Sequence, residues 1–214
     1  MDWFLDAGRR APHGLRRDRA SCSSQAAGVL GAHHIKVGNI PGTPASSRSS
    51  TERFGELCAD AAERTDAKIV YELMPFDVER QEHRRRARGR RRRGRRNGGI
   101  AIDTWHMSKL GIAPDELRRI PLEYLSWVEL SDGQFDDMDD PIDETINHRD
   151  AARRGRVRHR AAYVERLPWI TATPARGASR CSPRSCATDP IDVIFRRAYE
   201  TTAAQFGSAR GAPR

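Results

Sequence analysis

Aromatic residues make up only 7% of this 214-residue chain and hydrophobic residues 37%. That is length for one domain, with little material for its core. No stretch approaches 18 consecutive apolar residues, which argues against a membrane span, and the opening MDWFLDAGRR has charges on both sides of a very short apolar patch, unlike a secretory leader. Cysteine is scarce too: Cys22, Cys58, Cys181 and Cys186 contain no CxxC pair and no regular spacing. A disulfide scaffold is thereby disfavoured; four free thiols and a cytoplasmic location are expected.

The formal charge of +9 is concentrated in one place. Residues 79 to 96 (ERQEHRRRARGRRRRGRR) hold 11 Arg and two Glu, a local +9, and the remainder of the chain is formally neutral. Such a run is expected to be disordered and to bind polyanions such as nucleic acid through charge. It lacks lysine and interleaved aromatics, so base stacking is not indicated and the binding is expected to be non-specific.

On either side of the run the texture changes. Lys68 to Met74 (KIVYELM), Gly99 to Thr104 (GIAIDT), His33 to Val37 (HHIKV) and Leu125 to Leu130 (LSWVEL) are short apolar runs of the kind buried on both faces of a parallel sheet. Thr51 to Arg64 places Phe54, Leu57, Cys58, Ala61 and Ala62 at helical spacing, with Thr51 as the expected N-cap. Strand, helix, strand predicts a parallel α/β fold. Ala113 to Arg119 opens with a proline and acids and closes with arginines, as a helix should. Pro190 to Phe206 predicts a final amphipathic helix with Ile194, Phe195, Ala198, Tyr199 and Ala203 on one face. Gly133 to Asn147 is acidic and turn-rich and reads as a solvated loop, and residues 1 to 28 hold at most one short helix.

These pieces carry a resemblance. HHIKVGNIPGTP, KIVYELMPFDV, NGGIAIDTWHMSKLGI, LEYLSWVELSDGQ and PIDETINHR resemble successive strand ends of the xylose isomerase-like TIM barrels, the sugar phosphate isomerase/epimerase group that also includes endonuclease IV. The resemblance covers roughly half of the chain. It implies a divalent metal, Mn, Mg, Co or Zn, at the C-terminal mouth of a (β/α)8 barrel, held by Glu72, Asp103 and Glu129. His106 would contact a substrate hydroxyl, and Lys36, His148 and Arg149 would contact a sugar or sugar phosphate. Glu72 and Glu129 would shuttle a proton between adjacent carbons while the metal stabilises an enediolate, giving aldose-ketose isomerisation or epimerisation. An endonuclease IV-like phosphodiesterase would need more histidines than these strand ends offer. For Asp103 and His106 the alternative is a helix N-cap and a first-turn polar residue. Trp105 and Trp127 read as packing, and His33 and His34 as core or surface.

The chain departs from that pattern in places. Glu129 stands where the group usually has a histidine, and the late strand that should supply a fourth ligand, a Glu, has no counterpart in Trp169 to Asp189. The odd segments look like a GC-rich gene read out of frame. With permitted codons, Ile170 to Thr188 read two bases later can give HGYPGPWGVEVLSEELRN, whose family-like Glu straddles the codons of Ser179 and Arg180. Arg153 to Arg160 read one base later can give GEGEFDI, completing the HR-x-x-PGEGEFD pattern begun at His148 and Arg149. The expected architecture is therefore an α/β, partial or damaged (β/α)8 TIM barrel with disordered Arg-rich segments. Its expected limits are a poorly ordered segment at 1–28, an incomplete barrel domain at 29–207 that is irregular at 79–96, 150–160 and 170–189, and a tail at 208–214. Poor solubility and little turnover are expected of it, with nucleic-acid binding through the arginine run as the alternative function.

Overall fold

The computed structural model describes residues 2–5, 13–39, 47–75, 97–117, 119–133, 141–151, 176–179 and 189–209. The arginine run at 79–96, most of 152–188 and the end of the tail, where several sequence expectations fall, lie outside the described residues. The elements are β1 (Asp2–Leu5), α1 (His13–Leu30), β2 (His34–Asn39), α2 (Ser47–Ala62), β3 (Lys68–Glu72) and β4 (Gly98–Asp103). They continue with α3 (Thr104–Lys109), α4 (Pro114–Leu117), β5 (Leu125–Gly133), α5 (Pro141–Asn147), β6 (Arg149–Ala151), β7 (Arg176–Ser179) and α6 (Ile191–Ala209). The hydrogen-bonded strand order is β1-β2-β3-β4-β5-β6, with β7 also paired to β5. Parallel strands alternating with helices make this the expected α/β class, a partial TIM barrel.

The described residues form two compact units, Met1–Ala101 with Arg119–Ser126 and Ile102–Arg118 with Trp127–Arg214. In the first, β1, β2, β3 and the start of β4 pair in parallel, and Ile35, Val37, Ile69 and Tyr71 are buried against Cys58 and Ala61 of α2. Phe54, Leu57, Cys58 and Ala61 recur every three to four residues, so one stripe of α2 meets the sheet. Phe54 meets the Tyr71 ring edge-on, with centroids 6.1 Å apart. Ala62 of the predicted stripe is exposed at the end of the helix, and the helix begins at Ser47, so Thr51 lies inside it and is not its cap.

At the N-terminus the structure differs from expectation, because α1 runs for 18 residues and β1 pairs with β2. The buried positions of α1 include Ser23, Ser24 and Ala27. Small side chains let a helix approach its neighbours without the large apolar period that the sequence lacks. In the second unit α5 forms inside the stretch read as a loop, with Pro141 opening it and Asp143 and Glu144 in its first turn, both favourable there. Arg176–Ser179, within the segment expected to be irregular, forms a strand parallel to β5. Ladder bonds use backbone groups and need no apolar alternation. In α6 Ile194 and Ala198 are half-buried, whereas Phe195 and Tyr199 of the predicted apolar face are 68% and 75% exposed. None of the helices among the described residues is long and apolar enough to cross a membrane.

Two glycines test the first unit in opposite directions. A Cβ at Gly99 of β4 would run into the Ser126 side chain, whereas one at Gly55 of α2 meets nothing within 4 Å. Gly99→Ala should lower stability by about 1–3 kcal/mol through overpacking, and Gly55→Ala should raise it by about 0.5–1 kcal/mol through helix propensity. Urea unfolding midpoints shifting in opposite senses would confirm both; shifts of the same sign would contradict this packing.

Candidate functional site

Where β4 ends, Asp103 keeps an extended backbone (φ −106°, ψ 123°) and caps α3, its Oδ1 accepting from the backbone amides of Trp105 at 2.9 Å and His106 at 3.1 Å. A short carboxylate at this position satisfies amides that the first helical turn leaves without partners. The Ser131 hydroxyl of β5 donates to the same oxygen at 2.6 Å. Arg149 of β6 donates through Nη2 to Asp103 Oδ2 at 2.5 Å and to the Ser131 hydroxyl at 2.6 Å. Asp103, His106 and Ser131 are fully buried, and Arg149 nearly so.

Further contacts hold this group of side chains. The Arg149 guanidinium lies 4.1 Å from the centre of the Trp105 ring, and Lys109 Nζ lies 5.4 Å from it. Lys109 pairs with the buried Glu144 at 2.7 Å. Thr104 donates to the Ser131 carbonyl at 2.8 Å and accepts from the Ser131 amide at 3.1 Å, tying the start of α3 to the end of β5. Burial alone would raise the Asp103 pKa. The attraction of Arg149 and of His106, with the hydrogen bonds from Ser131 and the His106 amide, outweighs burial and holds the carboxyl well below its usual range.

In the first unit, Glu72 ends β3 and is fully buried. Lys36 of β2 places its Nζ 3.0 Å from Glu72 Oε2, with only 8% of its side chain exposed. Carboxylates and imidazoles such as those of Glu72, Asp103 and His106, all buried here, are ligands that Mn, Co and Zn accept, so these side chains suit a divalent cation.

The remaining expected residues have partners of their own. Glu129 is buried on β5 and accepts from the Trp127 indole at 3.2 Å. His148 lies half-buried against Asp143 of α5 at 3.1 Å. Arg149, expected on substrate, is engaged with Asp103, Ser131 and Trp105. Ser131 and Thr104 were not singled out from the sequence. For Ser131 a signal existed: it lies two residues beyond Glu129 on β5, on the same face of the strand.

No protein-family model matches the sequence, and no curated protein matches it. Solved structures do resemble the fold. The IolI protein, solved with a binding zinc atom, is 14% identical, with a TM-score of 0.77 over 99% of this chain and 77% of that one. A xylose isomerase domain containing protein from Salmonella typhimurium is 16% identical, with a TM-score of 0.71 over 92% of this chain and 71% of that one. The D-psicose 3-epimerase of Clostridium cellulolyticum H10, solved with D-tagatose, is 12% identical, with a TM-score of 0.64 over 92% and 72%. The fold is that of the xylose isomerase-like TIM barrels. The nucleic-acid reading gains no support from these neighbours.

Removing Arg149 would leave Asp103 as a buried carboxylate without its cation. Arg149→Met should cost about 3–5 kcal/mol, and the double variant with Asp103→Asn should cost clearly less than the two single changes added together. Because the folded pKa of Asp103 is depressed from 3.8, the stabilisation from this carboxylate is present above about pH 4 and is lost as acid protonates it. Urea unfolding across the mutant cycle checks this; additive losses would contradict it.

Proposed function

We propose that this chain is a metal-dependent sugar or sugar phosphate isomerase or epimerase that turns over slowly, with Asp103 and His106 as metal ligands and Glu72 as the further carboxylate that its strand-end position in the sequence suggests. The carrying observation is the buried carboxylate and imidazole of Asp103 and His106 where β4 passes into α3, with Asp103 oriented by Ser131 and Arg149. Such strand ends are where barrel active sites form, and the likeness to barrels named as an epimerase and as xylose isomerase domain proteins agrees with it. The metal, when bound, would polarise the carbonyl of an open-chain sugar.

The chain's own residues would do the rest. Glu72 offers a carboxylate to take a proton from the carbon beside the carbonyl and return it to the neighbouring carbon, and Glu129 is the second candidate for that transfer. Lys36 and His148 are the candidates for substrate hydroxyls or a phosphate. Arg149 acts on Asp103: its bond to Oδ2 and its stacking on Trp105 fix the carboxylate's orientation. Slow turnover follows from Glu129 in place of an imidazole and from the missing late-strand Glu. A loss of positioning by about 1 Å can cost roughly a hundredfold in rate.

Calorimetric titration with Mn²⁺ should give one site per chain, and Glu72→Gln and His106→Asn should each weaken it by more than about a hundredfold, beyond the roughly 10–100-fold typical of lost supporting contacts. Unchanged binding in both variants would refute the site. In an assay over ketoses, aldoses and their phosphates with Mn²⁺ or Mg²⁺, the chain with its reading frames restored should turn over far faster than the chain as it stands. Equal turnover would sink the proposal of impaired catalysis.

A further inference from the structure

We infer that Ser131 is a positioning residue of the candidate metal site: its hydroxyl fills Asp103 Oδ1 and leaves Oδ2 as the oxygen that meets a cation. The inference rests on the proposal that Asp103 is a metal ligand, and every group it uses lies in the second unit. Chemistry dictates the direction of each hydrogen bond. A guanidinium only donates, so Ser131 Oγ accepts from Arg149 Nη2 at 2.6 Å. An ionised carboxylate only accepts, so the hydroxyl proton points at Asp103 Oδ1, 2.6 Å away. Arg149 to Ser131 to Asp103 is therefore a one-way chain.

Oδ1 also accepts from the backbone amides of Trp105 and His106, so three donors share an oxygen that has about two lone-pair directions. It has no room for a metal. Among the described residues Oδ2 accepts from Arg149 alone and keeps a second lone pair. Asp103 can thus be a ligand through one oxygen while it caps α3 through the other. The backbone of Ser131 is held as firmly as its side chain, because the Thr104 hydroxyl donates to its carbonyl at 2.8 Å and accepts from its amide at 3.1 Å. Ser131 and Thr104 are buried, so water does not compete for these bonds, and a fully satisfied buried network is rigid. Arg149 supplies the charge beside Asp103; Ser131 decides which oxygen is left for the ion.

The test compares the full chain with Ser131→Ala, Ser131→Thr and Ser131→Cys by calorimetric titration with Mn²⁺ and by the visible spectrum of bound Co²⁺, which follows coordination geometry. Ser131→Ala should bind Mn²⁺ about 10–100-fold more weakly, the usual loss when a contact supporting a ligand is removed, and should change the Co²⁺ spectrum. Ser131→Thr keeps the hydroxyl and should return the Kd to within about threefold of the unmodified chain, with its spectrum. If Ser131→Ala does not fold, Ser131→Cys, a much weaker donor, takes its place and should lose affinity in the same sense. Unmodified affinity without the hydroxyl, a loss that threonine fails to rescue, or a Co²⁺ spectrum that never changes would overturn the positioning role and leave the metal site standing. So would a metal-soaked crystal of the unmodified chain with the ion on Oδ1 and not on Oδ2, whatever the variants do. Failure of every chain to bind Mn²⁺ and Co²⁺ would overturn the inference and the metal reading together.

Discussion

Four donors converge on the Asp103 carboxylate: the amides of Trp105 and His106, the Ser131 hydroxyl and the Arg149 guanidinium. They come from the first turn of α3, from β5 and from β6, so one side chain connects three elements that are distant in sequence. Both oxygens are thereby satisfied, as a carboxylate withdrawn from water requires. Satisfying it also fixes the direction of α3 and hence the position of His106 in its first turn. A structural cap and a candidate ligand site are here the same residue.

Charge compensation recurs among the buried polar groups. Lys36 meets Glu72, Lys109 meets Glu144, and Arg149 meets Asp103, each pair with its charged side chains at most 8% exposed. Buried ion pairs seldom add net stability over apolar packing, but removing one partner of such a pair is costly. Trp105, lying against both Arg149 and Lys109, helps to keep two of these cations in place.

Much of this was legible in the sequence. The apolar runs ending in Glu72 and Asp103 gave both strands and their terminal acids, because strands buried on both faces read as unbroken hydrophobic stretches. Asp103 followed three residues later by His106 fitted both a capped helix, which the structure shows, and a ligand pair, which is the proposed role. Other features were hidden for physical reasons. α1 packs with Ser23, Ser24 and Ala27, which carry little hydrophobic signal. β6 and β7 are recruited by backbone bonding to β5. The position of Arg149 over Trp105 depends on an antiparallel return, Gly133↔Arg149, that no local pattern announces. Glu129 lies on an expected strand, yet its bond to the Trp127 indole two residues away is a matter of rotamers and not of spacing.

The central claim, that Asp103 and His106 hold a divalent cation, is tested most directly by anomalous diffraction from crystals grown with Zn²⁺ or Mn²⁺. The account predicts one strong peak within about 2.0–2.6 Å of an oxygen of Asp103 and a ring nitrogen of His106, the reach of protein ligands to such ions. A well-ordered structure with no peak there, or with the ion bound only elsewhere, would contradict it.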